Sequence, residues 1–168
     1  PETLDQAQYS NYEFARVITE KLWEWSPAII SGYNIFSFDE RFLRSLFYQN
    51  LYPVYQTQSL GNARVDILPL VQACEVIAPS ALIFPLNEKG RTSKKLEHIA
   101  EANGFANHKA HDALGDVEAT IYVANLIKQR VPVLWNTALR ARNRRSFKET
   151  IDHRSWMILM DNNFGRPV

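Results

Sequence analysis

Ala28-Ile29-Ile30-Ser31-Gly32-Tyr33-Asn34-Ile35-Phe36-Ser37-Phe38-Asp39 is the stretch that decides the fold. A short apolar run breaks into Ser-Gly-Tyr-Asn, the pattern of a buried strand running out into a loop. An acid then heads a helix predicted over about Asp39 to Leu51, with Phe42, Leu43, Leu46 and Phe47 on its buried face. In open α/β sheets, ligands gather just beyond the carboxyl ends of strands, where Asp39 stands. Plain capping of the helix by Asp39 is the alternative at this position.

Similar units flank this one. Upstream, Ser10-Asn11-Tyr12-Glu13 is a capping box that opens a helix carrying Phe14, Val17, Ile18 and Leu22, and Pro27 stops it near Trp25. Downstream, Tyr52 to Gly61 reads as a polar, aromatic loop. Arg64 to Leu68 reads as a second short strand, and a helix follows from Pro69 to about Ile77. Pro79 to Thr92 has no regular pattern. Ser93 is the expected cap of a helix bearing Leu96, Ile99 and Ala100, ended by Asn103-Gly104. A helix from about Asp112 to Arg130 places Leu114, Val117, Ile121 and Ala124 on one face. Val133 to Arg142 and Ser146 to Ile151 also read as helical, and Trp156 to Met160 as a strand. Strands alternating with helices predict an α/β class with parallel strands. The two or three strands are too few for about six helices.

Composition narrows the function. At 46% hydrophobic and 22% charged, the 168 residues form a folded chain and not a disordered one. Lys+Arg 19 against Asp+Glu 18 leaves +1, which excludes a uniformly basic surface; any nucleic acid must meet a local patch. Arg140, Arg142, Arg144, Arg145 and Lys148 form the only basic cluster, as suited to a solvated helix end as to phosphates. Cys74 is the single cysteine, so no internal disulfide forms and a reducing, cytoplasmic setting is expected. Fully apolar stretches reach only about five residues, far short of the roughly 18 of a membrane span.

A second candidate site lies at Asn107-His108-Lys109-Ala110-His111-Asp112-Ala113-Leu114-Gly115-Asp116. If His111 precedes the first helical turn, its imidazole can take a proton from water while the Asp116 carboxylate holds a divalent cation. Gly115 costs a helix about 1 kcal/mol relative to Ala, which points to a close backbone approach. A capping Asp112, a solvated Asp116 and a surface His111 form the bland alternative. Tyr52, Tyr55, Gln56 and Gln58 offer stacking and polar contacts to single-stranded bases, or an ordinary loop surface. His98 reads as a packed helix residue.

Taken together, Asn34-x4-Asp39 after a strand and His111-x4-Asp116 opening a later helix resemble the DEDDh 3′-to-5′ exonucleases of the ribonuclease H-like superfamily. In particular they resemble the exodeoxyribonuclease I group, which acts on single strands. The likeness includes Gly32-Tyr33-Asn34, Phe38-Asp39-Glu40, Phe47-Tyr48-Gln49-Asn50, Asn62 to Leu68, Leu96-Glu97-His98, Ala102-Asn103-Gly104 and Ala110-His111-Asp112-Ala113. It implies a partial ribonuclease H-like fold, with helices packed on a short parallel sheet. It also implies phosphodiester hydrolysis with two Mg²⁺ or Mn²⁺ ions held by four carboxylates. Asp39 and Asp116 match the third and fourth of these acids and His111 the general base, so the three side chains are expected to converge. Asn34, Lys95, Tyr52 and Tyr55 are the implied substrate-binding residues. Lys95 stands where relatives carry Arg, and a lysine lacks the bidentate fork. The implied partners are single-stranded DNA and single-strand DNA-binding protein, with no membrane.

The family's first motif, Asp-x-Glu on a strand, puts two acids on one face. The one Asp-x-Glu here, Asp116-Val117-Glu118, falls in a predicted helix, where the two point apart. The resemblance thus implies an internal fragment, with a partial exonuclease domain over 1–154 and the start of a following domain over 155–168. Such a fragment is expected to be inactive and to leave the Ala28 strand with a bare apolar edge. A non-catalytic single-stranded nucleic-acid-binding module on the same fold is the rival reading. An HD-type phosphohydrolase, prompted by His111-Asp112, lacks convincing upstream histidines.

Overall fold

The computed structural model describes residues 9–105, 113–142 and 144–151. Among these, the elements are α1 (Asn11–Trp25), β1 (Ile29–Gly32), α2 (Asp39–Gln49), β2 (Ala63–Asp66), α3 (Ile67–Ile77), α4 (Leu96–Ala102), α5 (Ala113–Arg130), α6 (Pro132–Arg140) and α7 (Arg144–Ile151). A 3-10 turn covers Gln56–Gln58. β1 and β2 pair as a parallel two-stranded sheet. The mixed α/β class is as the sequence predicts, and two strands stand among the described residues. The run Trp156 to Met160 and the boundary at 155 lie outside the described residues. No helix among the described residues is long and apolar enough to cross a membrane.

The chain divides into two compact units, Pro1–Ile30 with Ile35–Arg64, and Ser31–Asn34 with Val65–Val168. In the first unit, α1 starts at its capping box. The Glu13 amide donates to Ser10 Oγ at 3.2 Å, and the Ser10 amide to Glu13 Oε2 at 2.9 Å. Ala15 and Leu22 of α1 are buried, as are Ile35, Ala63, and Leu46 and Phe47 of α2. The loop before β2 is less of a surface than its composition predicts. Gln56 is buried and donates to Thr19 Oγ1 at 3.0 Å, so it is not free to meet a base. Asn62 ties three segments together: its Oδ1 accepts the Ala28 amide at 2.8 Å, and its Nδ2 donates to Ser26 Oγ at 2.9 Å and the Gln56 carbonyl at 3.0 Å.

Two expectations fail in this unit. Phe42 is 61% exposed. The inward face of α2 runs through Glu40, Leu43, Leu46 and Phe47 at helical spacing, and Phe42 falls off its edge. β1 is not a buried strand either. Its residues alternate between exposed and half-buried, with Ile29 43% exposed, because β2 is its one partner among the described residues.

The second unit is built on apolar packing. Val65, Ile67, Leu70, Val71 and Cys74 join Leu82, Ile99, Ala100, Ala119, Val123, Leu126 and Ile127 in one buried cluster. The Asp66 side chain caps α3, accepting the Leu68 amide at 3.1 Å. The helix therefore starts at Ile67, ahead of Pro69, which sits in the first turn where its missing N–H is not needed. α4 has Lys95 at its cap position with no capping side chain, contrary to the expectation for Ser93. Ser93 Oγ instead lies 2.7 Å from His98 Nδ1, which holds His98 as a packed residue. Gly104 ends α4 at φ +101°, a conformation that favours glycine. The Asn103 carboxamide pairs with both the amide and the carbonyl of Ile83 at 2.9 Å, as a neighbouring strand would.

α5 turns the other way from the expected one. Of the expected face only Ala124 packs against the core; Leu114, Val117 and Ile121 are 65%, 55% and 56% exposed, while Gly115, Ala119, Val123, Leu126 and Ile127 are buried. The helix carries two apolar stripes. The one with Ala119, Val123, Leu126 and Ile127 packs inward, into the buried cluster of the unit.

Candidate active site

Asp39 is the first residue of α2 and is exposed. Its neighbour Glu40 is buried, 3% exposed, and its Oε2 meets Arg64 Nη1 at 2.8 Å and Arg44 Nη2 at 3.2 Å. The cap position, Phe38, supplies no side-chain acceptor, so the start of α2 is held by backbone contacts. The Glu40 amide donates to the Ile35 carbonyl at 2.9 Å, and the Arg41 and Phe42 amides to the Phe38 carbonyl at 3.1 Å each. In the same unit, Tyr52 is half-buried against Tyr12, with ring centroids 6.2 Å apart. A hydrogen bond from the Tyr52 hydroxyl to the Tyr12 side chain holds the proton on Tyr52 and raises its phenol above the ordinary range. Tyr55 is 57% exposed, and the Arg44 guanidinium lies 5.1 Å from its ring centroid.

The second unit holds the other candidates. Asn34 has φ +63°, and its amide donates to Asp66 Oδ1 at 2.7 Å, the same oxygen that caps α3. One buried carboxylate thus fixes both the turn after β1 and the start of a helix. The Tyr33 hydroxyl donates to the Lys94 carbonyl at 2.5 Å. Burial first, then the charges of Asp66 and Glu97, push its phenol well above the ordinary tyrosine value. Lys95 is exposed, its Nζ 3.8 Å from Glu97 Oε1. Asp116 lies in the first turn of α5, half-buried, and its carbonyl accepts the Thr120 hydroxyl at 2.8 Å. Glu118 is exposed on the same helix, so the chain's Asp-x-Glu does not have the strand geometry that gathers two acids. His111, with Asn107, His108 and Asp112, lies outside the described residues.

Carboxylate oxygens are the donors that Mg²⁺ and Mn²⁺ take, so Asp39 and Asp116 suit such an ion chemically. Among the described residues no group of three or more His, Cys, Asp or Glu gathers to hold one. The motif reading misses two acids, Glu40 and Asp66. Glu40-x3-Arg44 is an ion-pair spacing on a helix, and an Asp ahead of an apolar helix start is a capping pattern. Both signals are visible in the letters.

The mixed α/β fold with its short parallel strand pair is that of a nuclease. It matches the crystal structure of Escherichia coli exonuclease I in complex with a dA16 oligonucleotide, with a TM-score of 0.77 and 35% sequence identity. That match covers 83% of this chain and 30% of the other. The structure of exonuclease I without ligand gives 0.75 over 85% of this chain and 31% of the other. In sequence, the chain is 32% identical over 168 residues to exodeoxyribonuclease I of Buchnera aphidicola subsp. Acyrthosiphon pisum, covering 98% of this chain and 40% of the relative. It is 39% identical over 124 residues to exodeoxyribonuclease I of E. coli K12, covering 73% of this chain and 26% of the relative. No family model matches the chain. The chain is exodeoxyribonuclease I-like in sequence and fold, and it spans well under half the length of these curated relatives.

Proposed function

We propose that this chain is part of a metal-dependent 3′-to-5′ exonuclease that releases nucleotides from single-stranded DNA. The observation that supports this best is the agreement of sequence and fold with exodeoxyribonuclease I along nearly the whole chain, including a structure that holds an oligonucleotide. In this reading Asp39 and Asp116 hold Mg²⁺ or Mn²⁺, and an imidazole nitrogen of His111 takes the proton of the attacking water. The bound metal supplies an activated water and neutralises charge on the leaving oxygen. Lys95 offers a point charge to a phosphate, and the Asn34 turn and the Tyr52 and Tyr55 rings meet the strand. A cytoplasmic setting agrees with the lone thiol of Cys74, which is buried and pushed up to about 11 by desolvation. Single-strand DNA-binding protein is a further partner in this reading, and an SSB/exonuclease I structure is among the similar ones.

The test is an assay of the intact protein on end-labelled single-stranded DNA with Mg²⁺. Mononucleotides are expected from the 3′ end. Asp39→Ala or Asp116→Ala should lower the rate about a hundredfold or more, the size of losing metal charge stabilisation. Release that survives Asp116→Ala would remove the acids from the chemistry. DNA binding without any cleavage would favour a binding module on a nuclease fold.

A further inference from the structure

We infer that Glu40 and Arg64 form a positioning device that fixes the Asp39 carboxylate for its cation, a role that rests on the exonuclease reading above. The observation is a charged cluster centred on the residue that follows Asp39: Glu40 is buried and its two arginine partners are half-buried. Glu40 Oε2 is shared by Arg64 of β2 at 2.8 Å and Arg44 of α2 at 3.2 Å. Arg64 also donates to Gln58 Oε1 at 2.6 Å, and its guanidinium lies 5.2 Å from the Phe36 ring centroid. Arg44 stacks on Tyr55 and keeps a buried Nε with no hydrogen-bond partner.

Burying an ion pair is a poor way to gain stability, because desolvation offsets the attraction. What it supplies is direction. The Arg64 fork engages the helix through Glu40, the loop through Gln58 and the segment before α2 through Phe36. Three segments of the first unit are therefore referenced to one guanidinium. Asp39 precedes Glu40 on a helix start that has no capping side chain. Its carboxylate direction is therefore set by the backbone that Glu40 anchors. A metal ligand displaced by a fraction of an ångström loses affinity, and partners one step behind ligands are worth about 10–100-fold. Glu40 and Arg64 need not touch the ion to act this way.

The intact protein is titrated with Mn²⁺ alone, following free Mn²⁺ by electron paramagnetic resonance, and hydrolysis of single-stranded DNA is measured in parallel. Glu40→Gln is expected to weaken Mn²⁺ about tenfold and to raise the Mn²⁺ needed for half-maximal kcat by the same factor. KM for DNA should stay within about twofold, since a positioning role leaves strand binding intact. Arg64→Lys keeps the charge without the fork and should move the Mn²⁺ affinity in the same direction; it decides the matter if Glu40→Gln does not fold. Thr19→Val, which removes the Gln56 partner elsewhere in the unit, should leave Mn²⁺ affinity unchanged.

Wild-type Mn²⁺ affinity in both Glu40→Gln and Arg64→Lys overturns the inference, as does an equal loss in Thr19→Val. DNA hydrolysis indifferent to Glu40 overturns the positioning role alone. Glu40-dependent Mn²⁺ binding in a protein that leaves DNA intact supports the positioning role and overturns the exonuclease reading alone.

Discussion

The two units of this chain are held together by different chemistry. Among the described residues, the first buries five polar side chains, Thr19, Glu40, Gln56, Thr57 and Asn62, beside six apolar ones. The second buries fourteen apolar residues and only Asp66, Ser93 and Asn103 besides. Apolar packing is non-directional and tolerates exchange of shape, whereas hydrogen bonds and ion pairs demand particular atoms in particular places. The first unit is therefore the more exacting of the two, and it is the one that carries Asp39.

Truncations of fully buried residues should have the largest effects and should fall on both units alike. Phe47→Ala in the first unit is expected to cost about 3–5 kcal/mol, and Ile127→Ala in the second about 2–5 kcal/mol, by urea denaturation. Conservative exchanges should separate the units. Asn62→Leu keeps the volume but orphans the Ala28 amide and the Gln56 carbonyl, for a loss of about 2 kcal/mol or more. Ile127→Leu should cost less than about 1.5 kcal/mol. Equal losses in those two would erase the distinction. Loss of the α1 cap by Ser10→Ala should cost about 1 kcal/mol.

The smallest effect concerns pH. Burial alone would raise the Glu75 carboxyl, but hydrogen bonds from Lys94 and Thr92, with the Lys94 charge, bring it below its ordinary value of 4.5. A depressed folded value means a contribution that is complete above the unfolded value and lost as pH falls through the folded one. Glu75→Gln should flatten that acid-side decline, leaving the stability of the two proteins closer at pH 3 than at pH 7.

Much of this was legible in the letters because the signals were local. The capping box at Ser10, the strands at Ile29 and Ala63, the Pro27 stop and the Asn103-Gly104 ending depend on residues a few positions apart. Failures arose where partners lie far along the chain. Periodicity showed that α5 is amphipathic but not which of its two stripes faces inward, and only the tertiary packing of Ala119, Val123, Leu126 and Ile127 decides it. Phe42 looked buried until Glu40 took the inward position through Arg64, twenty-four residues away. The acids proposed for the site, Asp39 and Asp116, stand out in the letters through their motifs, and they belong to separate units. The contacts of Glu40 and Asp66 were less legible, since their partners are set by the tertiary structure.

Asn103 bears one more consequence, for chemical ageing. Asn-Gly is the dipeptide most prone to deamidate, because the glycine amide nitrogen can attack the unhindered side-chain carbonyl. Here that nitrogen is engaged with the Glu101 carbonyl at 3.0 Å, and the carboxamide is anchored to Ile83 and Ile99. Folding thus shelters the bond most at risk of spontaneous damage. Isoaspartate at Asn103 should accumulate in the urea-unfolded protein well before it appears in the native one.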